Sequence, residues 1–343
     1  MKYQFWLLLA LLATAACSGP GSHRYTRVTV TDYYRDSVSI RAIELMPGAL
    51  AMAGSDGFFG TLGLEDHQVR AGRQALGDTL PEFRAVAHTA TDFFMLSAGS
   101  PALLYKTGDQ GQMELVYRED GPEVFYDAMA FWDNREGMAV GDAQGGCLSI
   151  LVTRDGGQHW EKLPCTALPE ALNGEGAFAA SNTNLVLKGD HAWVVSSRSR
   201  IWHSPDRGHT WEVVQTPAGG PEPTQGLYSL AFWDEITGYA IGGDYTRPDA
   251  VSQNKARTTD GGQSWELVAD GQQPGYKSCV QYVPGAGGLD LVAVGFTGVS
   301  YSGDGGLHWQ HLNDEPFYTL RFLNDSVAYA AGRGRVARLV FRQ

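Results

Sequence analysis

Short apolar runs recur along this chain, and most of them end in glycine. They are rich in Ala, Val and Phe, and turn residues follow each one. Runs of this length are typical of β-strands, and no stretch beyond the N-terminal segment has an apolar stripe of helical period. We therefore predict an all-β protein with seven structural units, whose apolar runs lie at residues 50–54, 94–99, 137–141, 192–196, 238–242, 291–295 and 328–332.

An eight-residue pattern, Ser/Thr-x-Asp-x-Gly-x-x-Trp, occurs four times between residues 153 and 309. A repeat of this length that carries several short strands indicates a β-propeller, in which each unit forms a four-stranded antiparallel blade. Seven blades fit the apolar runs best, and six blades are the alternative. The four copies lie at residues 153–160, 204–211, 258–265 and 302–309, and a degenerate copy without the tryptophan lies at residues 107–111.

The two ends of the chain are expected to close the ring together. Residues 335–341 have the pattern of a third strand of the last blade. Residues 27–33 alternate apolar and polar side chains and have the pattern of its missing outer strand. We therefore predict that the ring is closed by an N-terminal strand.

Composition and charge narrow the classes of partner. The 343 residues carry a formal net charge of −12 and contain 43 glycines, as suits a folded, turn-rich protein. The acidic balance argues against nucleic acid or an anionic membrane surface as the main partner. No nucleotide, flavin, zinc or EF-hand motif is present, so we expect no cofactor and no metal site, and we expect a monomer.

The first residues are typical of a bacterial lipoprotein signal peptide. Lys2 precedes an apolar stretch, and small residues lead to Cys17, which resembles a lipidation site after cleavage. The predicted domains are a signal peptide at residues 1–17, a flexible tether at residues 18–24 and one propeller domain at residues 25–343. We expect an exported protein anchored in the bacterial cell envelope, at the periplasm or outer membrane. An ordinary secreted protein is the alternative.

Three further cysteines fall in the predicted propeller. If the strands on either side of the first repeat pair so that Thr153 faces Trp160, then Cys147 and Cys165 lie nearly opposite each other. Facing residues on neighbouring strands are within disulfide range, so we predict a bridge between them. Cys279 is expected to be a buried free thiol.

The repeats resemble Asp-boxes, the bacterial-neuraminidase repeats of sialidase-like propellers. Asp accepts hydrogen bonds from turn amides, Gly allows a positive φ angle, and Trp offers a large apolar face to a neighbouring sheet. These residue types indicate a structural role rather than metal binding or catalysis. The residues concerned are Asp155, Trp160, Asp206, Trp211, Asp260, Trp265, Asp304 and Trp309.

A ligand site is expected on the face opposite the Asp-boxes, around the mouth of the channel. That face receives the turns between second and third strands and the starts of the inner strands. Residues 175–182 place a carboxylate before a predicted small-residue strand and an amide after it. The candidate ligand-binding residues are Glu175, Asn182, Asp142, Arg198, Asp244, Tyr245, Tyr126 and Tyr228, and Tyr276 and Tyr318 fall in the same zone.

Two classes of function remain open. Residues 232–265 resemble units of the photosystem II stability/assembly factor family, which implies an exported binding or assembly module for a protein or glycan partner. Members of this family are often labelled oxidoreductases. An oxidoreductase is therefore a further alternative, although no motif in this sequence supports it. Asp-box propellers also include glycoside hydrolases, for which Glu175, Asp127, Asp244 and Tyr245 are the candidate catalytic residues. A sialidase is disfavoured because Arg41-Ala-Ile43 lacks the proline of the family's entry signature.

Overall fold

The computed structural model describes residues 25–108 and 111–343. The predictions made for the signal peptide, Cys17 and the tether lie outside these residues. The described chain is all-β, as predicted, and apart from one 3-10 turn at Cys165–Ala167 its regular structure consists of strands.

Most of the strands are short, and consecutive strands of a sheet pair in antiparallel order. In chain order they are β1 (Arg27–Met46), β2 (Ala49–Gly54), β3 (Phe58–Gly63), β4 (Val69–Arg73), β5 (Phe83–His88), β6 (Phe93–Ser97), β7 (Ala102–Thr107), β8 (Met113–Glu119), β9 (Tyr126–Phe131), β10 (Gly137–Gln144), β11 (Cys147–Thr153), β12 (Glu161–Lys162), β13 (Leu185–Lys188), β14 (His191–Val195), β15 (Arg200–Ser204), β16 (Glu212–Gln215), β17 (Gln225–Phe232), β18 (Gly238–Asp244), β19 (Lys255–Thr258), β20 (Glu266–Leu267), β21 (Cys279–Tyr282), β22 (Leu291–Gly295), β23 (Gly298–Ser302), β24 (Gln310–Asn313), β25 (Thr319–Phe322) and β26 (Val327–Arg342).

Five sheets contain four consecutive strands each, and the first strand of each sheet neighbours the first strand of the next. These sheets are β5–β8, β9–β12, β13–β16, β17–β20 and β21–β24. The apolar side chains fill the spaces between neighbouring sheets, because strands with apolar residues on both faces need a neighbouring sheet on each side to bury them. This is the architecture of a β-propeller.

The remaining sheet joins the two ends of the chain. It has six strands in the order β25-β26-β1-β2-β3-β4. The first part of β1, Arg27 to Ser39, pairs with β26, and the second part, Ile40 to Met46, pairs with β2. The prediction that an N-terminal strand closes the ring is confirmed.

The number of separately hydrogen-bonded sheets in the described chain is six, which matches the six-bladed alternative. The expectation of seven separate blades is wrong where the two ends of the chain meet. There β1 runs without interruption from the last sequence unit into the first, so these two units share one sheet. The joined sheet is bent rather than flat. The amide of Phe341 donates to the carbonyl of Ser326 at 2.8 Å, so β26 folds back on itself as a hairpin near Gly334.

Each of the four complete Asp-boxes forms the turn between the third and fourth strands of its sheet. In the box at residues 258–265, the Thr258 hydroxyl donates to Asp260 at 2.7 Å and accepts the Gly262 amide at 2.9 Å. Asp260 also accepts the Ser264 amide at 2.9 Å, and Gly262 has a φ angle of +91°. The other three boxes repeat these contacts. The carboxylate of each box Asp therefore accepts hydrogen bonds from groups of its own turn, which is a structural role.

In two of the boxes, a side chain from the preceding sheet donates a hydrogen bond to the turn. Trp193 on β14 donates its indole N–H to the Gly261 carbonyl at 2.7 Å, and its ring stacks on Phe232 at 3.9 Å. Tyr239 on β18 likewise donates to the Gly306 carbonyl at 3.2 Å in the next sheet. These two boxes therefore connect neighbouring sheets as well as neighbouring strands.

Cys147 and Cys165 form a disulfide with their Cα atoms 5.4 Å apart. The pairing of β11 with β12, which joins Leu151 to Lys162, has the same register as the one from which the bridge was predicted. Cys279 is free and buried.

Replacing Trp265 with Ala should lower the free energy of unfolding by about 3–5 kcal/mol, because a large, nearly buried ring is lost. Its ring lies edge-on to Phe232 at 6.1 Å. Urea unfolding measures the effect, and Gln263→Ala, at an exposed position of the same turn, is the matched control. Equal stability of the two variants would contradict the role given to the tryptophan.

Candidate functional site

The channel at the centre of the ring is filled by residues 177–184, which we call the plug. Asn182 is its central residue: its side-chain oxygen accepts the Met129 amide at 2.9 Å, and its side-chain nitrogen donates to the Val86 carbonyl at 2.8 Å. Val86 and Met129 lie on the first strands of two different sheets. Asn182 has a φ angle of +58°, a conformation that Asn tolerates better than most residues.

Other plug residues bond to the far side of the ring. The Ser181 hydroxyl donates to the Ser278 carbonyl at 2.6 Å, and the Ser181 carbonyl accepts the Thr319 hydroxyl at 2.9 Å. The Thr183 carbonyl accepts the Leu230 amide at 2.8 Å. Together with Asn182, these bonds connect the plug to all five of the other sheets.

The plug is not the strand that the sequence predicted. Residues 177–184 form turns and bends, and the inner strand of this sheet, β13, begins only at Leu185. The small side chains of Ala179, Ala180 and Ser181 are buried, because the segment crosses the channel, where little room is available. The crowding expected from these residue types is present, although the backbone conformation is different.

In each of four strands, β1, β5, β9 and β17, one extra residue has no partner in the pairing with the strand that follows it in the chain. Such a bulge changes the direction in which a side chain points. The extra residues are Arg41 in β1, Arg84 in β5, Asp127 in β9 and Tyr228 in β17.

Above the plug lies a cavity of about 400 Å³, which we call the mouth cavity. It is formed by the starts of first strands and by turns between second and third strands, on the face opposite the Asp-boxes. The plug forms its floor, so the cavity is blind. Its lining residues are Arg41, Arg84, Phe125, Ala177, Phe178, Ala179, Ala180, Tyr228, Tyr245, Tyr276, Phe296 and Tyr318.

Aromatic rings form one wall of the mouth cavity as a continuous series. Phe178 stacks on Tyr228 with 3.8 Å between ring centroids, and Tyr228 meets Tyr276 edge-on at 5.0 Å. Tyr276 in turn contacts Phe296 at 4.9 Å and Tyr245 at 6.5 Å. Tyr245 is 49% exposed and Phe296 is 39% exposed, so the outer end of this wall is open to solvent.

Two arginines, Arg41 and Arg84, also line the cavity. Arg84 pairs with Glu82 at 2.6 Å and donates to the Ala179 carbonyl of the plug at 3.1 Å. The Arg41 guanidinium lies 4.0 Å from the centroid of the Tyr318 ring. Burial and, secondarily, the charge of Arg84 lower the pKa of Arg41.

Asp127, a candidate catalytic residue, is fully buried and is not among the cavity-lining residues. Its two carboxylate oxygens have no hydrogen-bond partner of normal geometry. Burial and the neighbouring Asp142 raise the pKa of Asp127 well above its usual value, against the smaller opposing effect of Arg84. Asp142 accepts the Ala177 amide at 3.0 Å, so it holds the first residue of the plug.

Glu175, the other leading candidate, is occupied by structural contacts. Its carboxylate pairs with Arg200 at 2.6 Å and accepts the Trp202 indole N–H at 3.1 Å and the Leu172 amide at 2.8 Å. These three donors fix the segment that leads into the plug, and the Glu175 carboxylate does not face the mouth cavity.

Asp244 and Tyr245 are neighbours with different environments. Asp244 is buried, and although burial opposes its ionisation, hydrogen bonds from Thr246, Arg247 and Thr224 lower its pKa. These contacts hold the turn that places Tyr245 at the edge of the mouth cavity. Asp244 therefore positions the turn, and Tyr245 is the residue that a ligand would meet.

The other candidates are divided in the same way. Tyr228 lines the cavity, whereas Tyr126 is buried and donates to Glu119 at 2.7 Å. Arg198 is exposed and donates to the Asn173 carbonyl at 2.9 Å, away from the cavity lining. Asn182 acts through the plug, as described above.

Sequence reasoning missed Arg84, Phe125, Phe178 and Phe296 as lining residues. Phe178 was seen only as part of a packed strand, and Phe296 follows the glycine that ends an apolar run. A residue directly after such a run lies in the turn between second and third strands. This position was the signal in the sequence that could have identified Phe296 as a lining residue. Among the described residues, no group of His, Cys, Asp and Glu suited to holding a metal ion is present.

Comparison with known proteins agrees with this architecture. Residues 120–227 match the family model described as photosynthesis system II assembly factor YCF48. None of the curated proteins has a significantly similar sequence. The chain is an Asp-box propeller similar to the photosystem II assembly factors, which confirms the resemblance inferred from its repeats.

Solved structures show the same fold at low identity. A structure titled YCF48 bound to D1 peptide has a TM-score of 0.67 and 16% identity, covering 92% of this chain and 96% of that one. YCF48 from Cyanidioschyzon merolae has a TM-score of 0.63 and 13% identity, covering 91% and 98%. The GH74 xyloglucanase from Xanthomonas campestris has a TM-score of 0.64 and 16% identity, covering 90% of this chain and 53% of that one. At these identities, the matches show the fold alone.

Within the described residues, the structure has no helix with the length and apolar character that a membrane crossing requires.

Asp127→Asn should make stability less dependent on pH. Because the pKa of Asp127 is raised on folding, the native state favours the protonated form, and the contribution of Asp127 to wild-type stability should fall as pH rises above about 4. The variant lacks this loss, so its free energy of unfolding relative to wild type should increase between pH 5 and pH 8. Urea unfolding at both pH values measures the difference, and a constant difference would contradict the assignment.

Proposed function

We propose that this protein is a binding module that holds a segment of a partner protein in the mouth cavity. The observation that carries the proposal is the blind aromatic cavity itself. It lies on one face of a rigid ring, its floor is fixed by hydrogen bonds to every other sheet, and its outer wall presents solvent-exposed Tyr245 and Phe296. Concave, mostly apolar sites with a few placed polar groups are typical binding sites.

A protein partner is the class that the comparisons favour. The family model concerns an assembly factor, and one similar structure is of YCF48 bound to a D1 peptide. Exposed aromatic side chains also give large contact areas with little loss of conformational entropy. We therefore infer that a polypeptide segment of a partner protein occupies the mouth cavity.

Glycoside hydrolysis finds less support. Two placed carboxylates or a tyrosine with its own acid and base are needed. None of the described residues that line the mouth cavity is Asp or Glu. Glu175 and Asp244 are held by structural hydrogen bonds, and Asp127 is buried without access to the cavity.

We also propose that the protein is exported and anchored through Cys17. The support comes from the sequence of residues 1–17 and from the Cys147–Cys165 disulfide, since disulfides persist mainly in oxidising compartments. The tether would place the propeller at the surface of a membrane in the cell envelope.

The binding proposal predicts that Tyr245→Ala and Phe296→Ala each weaken peptide binding about tenfold or more, since aromatic anchors dominate such interfaces. A pool of random octapeptides is passed over immobilised protein, and the retained peptides are identified by mass spectrometry and titrated singly. Leu323→Ala removes an exposed apolar side chain from the Asp-box face and is the matched control. Failure to retain any peptide, or equal affinities in all three variants, would contradict the proposal.

The anchoring proposal predicts that Cys17→Ser abolishes incorporation of labelled fatty acid in a bacterial host and moves the protein out of the membrane fraction. Cys279→Ser, at a buried cysteine of the propeller, is the control and should retain the label. Labelled protein in the Cys17→Ser variant would refute a lipid anchor at this position.

A further inference from the structure

We propose that Arg41 binds a carboxylate of the ligand, so that the mouth cavity selects segments in which an acidic group lies beside apolar side chains. The inference rests on the proposed function, because it names the chemistry that the same cavity recognises. The carboxylate would come from an Asp or Glu side chain or from a free C-terminus of the bound segment.

The first observation is that Arg41 has unused hydrogen-bonding capacity at the wall of the cavity. Its Nε–H group is buried and has no hydrogen-bond partner, and the guanidinium forms no ion pair with any described residue. Burying a charged group without a partner is costly, and native proteins seldom leave such a group unpaired. A ligand anion whose oxygens accept from the terminal nitrogens of the guanidinium would supply the charge partner that Arg41 lacks.

The contrast with other arginines strengthens this point. Arg84, the second arginine of the cavity, is already paired with Glu82 and with the Ala179 carbonyl. Arg200 is paired with Glu175, and Arg335 is paired with Asp32. Each of these guanidinium groups has its acid within the chain, whereas Arg41 lies in a cavity whose described lining contains no acid.

The position of Arg41 is set by the fold. It is the extra residue of the bulge in β1, so it does not follow the regular alternation of that strand. Its guanidinium lies against the Tyr318 ring, 4.0 Å from the ring centroid. This contact holds the charged group at the wall rather than in open solvent, as a fixed binding group requires.

The chemical class of the ligand follows from the surroundings. A planar guanidinium matches a carboxylate through two parallel hydrogen bonds, which a single carbonyl oxygen cannot reproduce. The aromatic wall, from Phe178 through Tyr228 and Tyr276 to Phe296, offers ring faces and edges for apolar side chains. A peptide with a carboxylate next to aromatic or aliphatic residues satisfies both walls at once.

The test compares matched ligands on the unaltered protein. Octapeptides retained in the binding assay are synthesised in three forms: unchanged, with each Asp and Glu replaced by Asn and Gln, and with an amidated C-terminus. Loss of the decisive carboxylate should weaken binding by about 10-fold to 100-fold, the range expected for a hydrogen bond to a charged group. The neutral peptides should bind wild type and Arg41→Gln with similar affinity.

Two variants of Arg41 complete the experiment. Arg41→Gln should remove the preference for the acidic peptide, and Arg41→Lys should retain part of it, because the charge remains but the paired geometry is lost. Thermal unfolding confirms that both variants fold. Peptides that bind wild type equally well in acidic and neutral forms would overturn the carboxylate proposal and leave peptide binding standing. No retention of any peptide would overturn both.

Discussion

The fold depends on how the centre of the ring is filled, and the Asn182 side chain is the interaction that decides it. One amide group accepts from the Met129 amide and donates to the Val86 carbonyl, and so joins the first strands of two sheets from within the channel. Ser181 and Thr183 reach the opposite strands in the same way. Inner strands at a crowded axis have unpaired edges, and the plug satisfies several of those backbone groups at once.

Filling the channel also creates the candidate site. The segment before the plug is fixed by the disulfide at Cys165 and by the ion pair of Glu175 with Arg200, so the floor is held at the end where the chain enters it. The mouth cavity inherits that rigidity. A site with a fixed floor and a wall of stacked rings loses little conformational entropy when a ligand binds. This preorganisation favours tight binding, as a recognition module requires.

The sequence predicts the periodic parts of this molecule well and the irregular parts poorly. The Asp-box turns repeat because their hydrogen bonds are local, and the apolar run that ends in glycine marks the second strand of each unit. The plug escaped prediction because Ala179, Ala180 and Ser181 suit a crowded strand as well as a crowded crossing. The bulge at Arg41 is defined only by its partner strand, and the shared strand β1 merges two expected units because nothing in its sequence marks where one pairing partner replaces the other.

The pairing of β1 with β26 has a mechanical consequence. The two strands run antiparallel from Arg27, which faces Arg342, to Arg35, which faces Arg335. A pull on the N-terminus directed along β1 loads many of these hydrogen bonds in shear and at the same moment, whereas a pull across the strand would unzip them one at a time. The pairing of β1 with β26, which closes the ring, is therefore oriented to resist a force applied along β1 from its N-terminal end.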